Sequence, residues 1–166
     1  MQHSTGKQSD AAKYERARRV ANLALWTLSV QLRRLNGEEP EDKDFPLRRW
    51  SDFHFFIWAL VRFRKACQIA SKIPSIQTAM STELNKFDSV LPNLIKMRDV
   101  AEHIEDYALS KGKDRTISRQ SLEVGSFDGE TWSWLEFEIN CPKALSTCEE
   151  IFEILKASHS RVTSDT

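Results

Sequence analysis

From Trp50 to Ala70 the chain repeats apolar side chains at helical spacing: Trp50, Phe53, Phe56, Ile57, Leu60, Phe63, Cys67 and Ala70. Steps of three and four place them on one stripe of an α-helix. A second face carries His54, Trp58, Val61, Arg62 and Lys65. That is more aromatic and apolar surface than the outside of a lone monomer needs. The helix is therefore either deeply buried or part of a subunit contact, and it is the core element the others must cover. The pattern starts near Trp50, with Ser51 or Asp52 as alternative caps, and Pro74 ends it.

The flanking segments read mostly as helices. Asp10 can cap a helix that Asn36-Gly37 closes, with Val20, Leu23, Ala24, Leu28 and Leu35 inward. Its arginines Arg16, Arg18, Arg19, Arg33 and Arg34 read first as a solvated face and second as part of a nucleic-acid stripe. An acidic, proline-bounded loop spans Glu38 to Pro46. Ser75 to Phe87 keeps Ile76, Ala79, Met80, Leu84 and Phe87 on one side. Pro92 either kinks that helix or starts the next, which runs from Leu94 to Leu109. Leu94, Met97, Ala101, Ile104 and Ala108 form its inner stripe, and Lys111-Gly112-Lys113 ends it.

The character then changes. Ser121 to Val124 and Thr131 to Ile139 are rich in β-branched and aromatic residues, with Asp128-Gly129 as a hairpin turn between them. Strict alternation puts Leu135, Phe137 and Ile139 on one side and Trp132, Trp134, Glu136 and Glu138 on the other, leaving the tryptophans partly exposed. Asn140 caps a last helix with Pro142 in its first turn, and Leu145, Cys148, Ile151, Phe152 and Leu155 face inward. The expectation is a mainly all-α protein: an antiparallel four- to five-helix bundle with a small β-hairpin insertion at 121–139. One domain covers 10–159, between disordered tails at 1–9 and 160–166.

A chain of 166 residues builds one substantial core. Its 24 basic and 24 acidic residues cancel, so any contact with nucleic acid must come from a local patch. Cys67, Cys141 and Cys148 follow no metal or redox spacing, which points to a reducing cytoplasm. No run approaches a membrane span, and no spacing marks a metal or cofactor site.

Beside the inner stripe of the Leu94 to Leu109 segment, Asp99, His103 and Tyr107 recur every four residues, on one helical face. Arg98 and Glu102 form a neighbouring four-spaced pair. Taken alone, Arg98 with Glu102 reads as an ordinary surface ion pair, and His103 as a hydrogen-bonded residue at a helix seam.

Arg98-Asp-Val-Ala-Glu-His103 also resembles the motif of HEPN domains: arginine, four to six residues, histidine, with a polar residue after the arginine. Asp99 supplies that polar residue, and Glu102 before the histidine is similar to many members. HEPN domains are short helical bundles that pair into dimers, which bring two motif helices to one cleft. The resemblance implies a metal-independent endoribonuclease of a prokaryotic defence or toxin-antitoxin system. Arg98 would hold the scissile phosphate, His103 would move protons, Asp99 would orient the imidazole, and Tyr107 would touch substrate or His103. Implied partners are a second copy, RNA, and a cognate protein such as a nucleotidyltransferase antitoxin. The alternatives are a non-catalytic interaction or oligomerisation module, using the Phe53 to Phe63 helix and the Trp132/Trp134 hairpin, or a nucleotide-binding module.

Overall fold

The computed structural model describes residues 9–40 and 47–163. In chain order its helices are α1 (Asp10–Asn36), α2 (Leu47–Ala70), α3 (Gln77–Val90), α4 (Leu94–Glu102), α5 (Ile104–Ala108), α6 (Cys141–Ala157) and α7 (His159–Thr163). Strands β1 (Gly125–Phe127), β2 (Thr131–Trp134) and β3 (Phe137–Asn140) lie between α5 and α6 in one antiparallel sheet of order β1-β2-β3. The protein is thus mainly helical with a small sheet. The expected tail before Ser9, the 41–46 part of the acidic loop and the last three residues lie outside the described residues.

Ser9, rather than Asp10, caps α1, its side chain accepting from the Ala12 N–H at 3.2 Å. Gly37 closes the helix, donating to the Arg33 carbonyl at 2.9 Å. The buried seam of α1 is Tyr14, Ala17, Ala21, Ala24, Leu28 and Leu35. Steps of three and four define it, and its alanines let α2 approach closely. Leu23, expected inward, is 59% exposed because it points away from the alanine row.

α2 begins at Leu47, ahead of the expected Trp50. Asp52 is no cap. It is 3% exposed and accepts from Arg34 Nε at 2.7 Å and Arg48 Nη1 at 3.0 Å. Arg48 also reaches the Gly37 carbonyl, so the carboxylate and its two arginines tie α1 to the start of α2. Phe53, Phe56, Ile57, Leu60, Val61, Phe63, Cys67 and Ala70 are all buried, which makes α2 the central helix. Its outward side keeps Phe55 54% and Trp58 44% exposed.

Arg64 clamps Asp88 of α3 with two hydrogen bonds of 2.7 Å. A 3-10 turn at Pro74–Ile76 leads into α3, and Leu91, Pro92 and Asn93 separate α3 from α4. Asn140 caps α6 as its sequence predicts, accepting from the Lys143 N–H at 2.9 Å. The Tyr14 hydroxyl donates to the Leu155 carbonyl at 3.1 Å and closes α6 onto α1. The expected tail from residue 160 is helical through Thr163, where Val162 is buried.

The sheet departs most from expectation. Ser121 to Val124 is no strand; a 3-10 turn at Arg119–Ser121 precedes β1. Asp128-Gly129 does form the first turn, the Asp128 carboxylate accepting from the Glu130 and Thr131 N–H groups. The stretch Thr131 to Ile139 is two strands, not one. Leu135 and Glu136 have φ of 56° and 63° and make a tight turn between them. Reversal there pairs Trp132 with Ile139 and Trp134 with Phe137. Directly paired residues share a face, so both tryptophans lie on the apolar side. They are 3% and 1% exposed, against Trp50 and Phe53 of α2. They are core, which removes them from the set of candidate contact residues.

All three cysteines are free and buried, and burial pushes the Cys67 and Cys141 thiols up to about 12. No described helix is long and apolar enough to cross a membrane.

Candidate functional site

The expected helix from Leu94 to Leu109 breaks at His103, whose φ of −122° and ψ of 35° separate α4 from α5. His103 still donates its N–H to the Asp99 carbonyl at 3.1 Å, so it closes α4. The change of direction turns Tyr107 inward, 7% exposed, and Ile104 outward, 38% exposed. Val100 takes the core place that the stripe assigned to Ala101 and Ile104. Ser110, at φ 59°, ends α5 ahead of Gly112. Gly112 lies flat against the Tyr107 ring, where a Cβ would come within 2.3 Å of Cδ1. Only glycine permits that approach.

The break leaves the four-spaced row together. Asp99, His103 and Tyr107 line one cleft of about 490 Å³ with Lys96, Asp106, Gly112, Lys113 and Asp114. Asp114 is ion-paired with Lys96 and also accepts from Thr116, and these partners hold its carboxyl below the usual carboxylate range, Lys96 contributing most. The Asp114 N–H donates to the Tyr107 hydroxyl at 3.4 Å. Lys96 lies 5.0 Å over the Phe137 ring. His103 and Lys113 are exposed at the mouth.

Arg98 faces elsewhere. It lines a groove of about 290 Å³ between α2 and α4, with His54, Phe55, Ile57, Trp58, Ala101 and Glu102. Its guanidinium is ion-paired with Glu102 and with Asp99, the latter at 3.1 Å. Its Nε is buried without a partner. The structure therefore brings Asp99, His103 and Tyr107 together and sets Arg98 and Glu102 on a separate, apolar concavity. Among the described residues no hydrogen bond joins the His103 imidazole to Asp99 or Tyr107, and the Asp99 carboxylate is turned to Arg98.

One lysine of the cleft escapes the sequence reading, while Lys113, with Lys111 and Arg115, reads there as a solvated loop first and an RNA contact second. Lys96 precedes Asp99 by three and extends the row 96, 99, 103, 107 by helical spacing, a signal present in the sequence. Lys113 reaches the cleft only because the chain folds back over Tyr107. Ligand-capable atoms of His103, Glu105 and Asp106 also lie within 4.8 Å of one another, all on exposed side chains. The break at His103 gathers them, and no regular helix would.

His54 borders the groove against Trp50 and Trp134, at ring separations of 5.8 Å and 5.5 Å. Burial holds its pKa below the ordinary 6.5, and its Nε2 has no partner. The unfolded chain therefore takes the proton before the native state does. Stability is full above about pH 6.5 and falls as pH drops through that value toward the lower native one. Unfolding midpoints compared at about pH 7.5 and about pH 5.5 should show this loss, and His54→Phe should reduce it.

Chemically, the cleft combines an imidazole suited to proton transfer with two lysines that attract anions, and three carboxylates temper them. The groove combines an arginine with an aromatic wall. Comparison with known proteins gave no match: no family model, no curated protein and no solved structure matches the chain.

Proposed function

We propose that the chain is a HEPN-like endoribonuclease that works as a dimer and needs no metal for cleavage. His103 moves the protons and Arg98 holds the scissile phosphate. The observation that carries this reading is the division of the pair. Arg98 opens on the α2–α4 groove and His103 on the neighbouring cleft, so one copy alone presents half a site to each concavity. A second copy seated on the groove, against Phe55 and Trp58, would set two α4 helices side by side. Each Arg98 would then approach the other copy's His103.

In that arrangement one His103 takes the proton of the RNA 2′-hydroxyl. The 2′-oxygen bonds to phosphorus, and the 5′-oxygen leaves with a proton from water, so each site uses one His103 and the other copy's Arg98. The products are a 2′,3′-cyclic phosphate and a free 5′-hydroxyl. Arg98 must exchange Asp99 and Glu102 for phosphate. Those carboxylates are 45% and 50% exposed, and half-exposed ion pairs are worth little, so the exchange is cheap. The four-to-five-helix bundle serves as the frame of this dimer. A cytoplasmic setting and a masking partner such as a nucleotidyltransferase antitoxin belong to the same reading.

A second reading is favoured by the pairing of Arg98 with two carboxylates of its own chain: a silent module that dimerises through the groove. Incubation of the purified protein with mixed RNA in EDTA separates the two. The ribonuclease yields fragments with cyclic phosphate ends. Intact RNA at every concentration where the protein is dimeric would leave the module.

A further inference from the structure

α1 carries a second surface, remote in sequence from the motif. Its inner seam, Tyr14 to Leu35, is packed, and the opposite face shows Arg16, Arg19, Leu23, Trp26 and Arg33. These positions recur at steps of three, four, three and seven, which is one helical stripe about 26 Å long. Trp26 is 66% exposed, more than any other tryptophan of the chain. Leu23 beside it is 59% exposed, and the Arg19 side chain 79%. Among the described residues Arg16 and Arg33 have no carboxylate partner. Glu15, the one acid at the edge of the stripe, is held by Arg18 at 3.0 Å and lies 3.9 Å from Arg19.

We infer that this outer face of α1 is a track for single-stranded RNA, with Trp26 stacking a base and Arg16, Arg19 and Arg33 gripping phosphates on either side. The choice of RNA over DNA rests on the ribonuclease reading above. Charge order selects the occupant. A second copy packed antiparallel about Trp26 would set Arg19, seven residues before it, opposite Arg33, seven after, and parallel packing would set each arginine opposite itself. Both arrangements oppose like charges. A membrane surface needs a broad apolar helix face, and the apolar seam of α1 is already covered by the core. A polyanion with exposed bases meets both the arginines and the isolated ring.

The experiment measures binding of a fluorescent single-stranded RNA to the full chain carrying His103→Ala, which prevents cleavage. Three phosphate contacts predict a slope of log K against log salt near about −2. Trp26→Ala should weaken binding about 5- to 100-fold, with Trp26→Phe restoring most of it. Arg16→Gln, Arg19→Gln and Arg33→Gln combined should flatten the salt slope. Binding unchanged by both sets of substitutions overturns the inference. So does Trp26-dependent binding to phosphatidylglycerol vesicles without RNA binding, or dissociation of a dimer by Trp26→Ala with RNA affinity intact. Cleavage by the native protein, with α1 variants equally active and equally tight, removes the track and leaves the ribonuclease reading standing. RNA binding through α1 by a native protein that never cleaves does the reverse.

Discussion

His103→Ala should lower RNA cleavage in EDTA by about 10²- to 10⁴-fold, the range typical of a lost general acid–base group. The fold should survive. His103 contributes an exposed side chain, and the cap of α4 depends on its backbone N–H, which alanine keeps. The fall should appear in kcat, with RNA affinity nearly unchanged, because the imidazole acts on protons in flight rather than on bound phosphate. Cleavage by the variant at the native rate would remove His103 from the chemistry. Asp99→Asn should have a smaller effect, since Asp99 faces Arg98 and makes no hydrogen bond to the imidazole.

Trp134→Ala should destabilise the protein by about 3–5 kcal/mol, the range for an aromatic deleted from a core. Its indole is 1% exposed and donates from Nε1 to the Leu122 carbonyl at 3.0 Å. Its ring meets Trp50, Phe53 and His54 at centroid distances of 5.8, 6.5 and 5.5 Å. These contacts fasten the sheet to the first turns of α2. Gly125 on β1 shares the site: a Cβ there would lie 2.8 Å from the Trp50 ring. Truncation leaves a cavity that the neighbouring rings cannot close, and an unpaired carbonyl. Urea unfolding of the variant at neutral pH measures the loss. A change within the range of surface substitutions, about 0.5 kcal/mol, would show that the sheet is not part of the cooperative core.

These two residues mark how far the sequence could be read. Helix positions in α1, α2, α3 and α6 follow from apolar spacing and caps such as Asn140, because a regular 3.6-residue period carries that information along the chain. Trp134 was legible as a strand residue but placed on the wrong face. The turn that decides the face uses Leu135 and Glu136 at positive φ, and neither residue type signals such a turn. His103 was legible as part of a row, yet the break beneath it was not. No proline or glycine marks that break; burying Tyr107 against Gly112 rewards it, and this contact forms only in three dimensions. Arg98 and His103 face different concavities because five residues of helix turn them about 140° apart, which the spacing does foretell.

The central claim is that a working site is assembled from two copies. Mixing Arg98→Ala protein with His103→Ala protein tests it most directly. Each variant alone should cleave RNA in EDTA far more slowly than the native protein. Random exchange in a symmetric dimer makes about half the molecules mixed, each with one complete site, so activity should return to about a quarter of the native level. A mixture that forms mixed dimers by native mass spectrometry, yet cleaves no faster than the separate variants, would contradict the account.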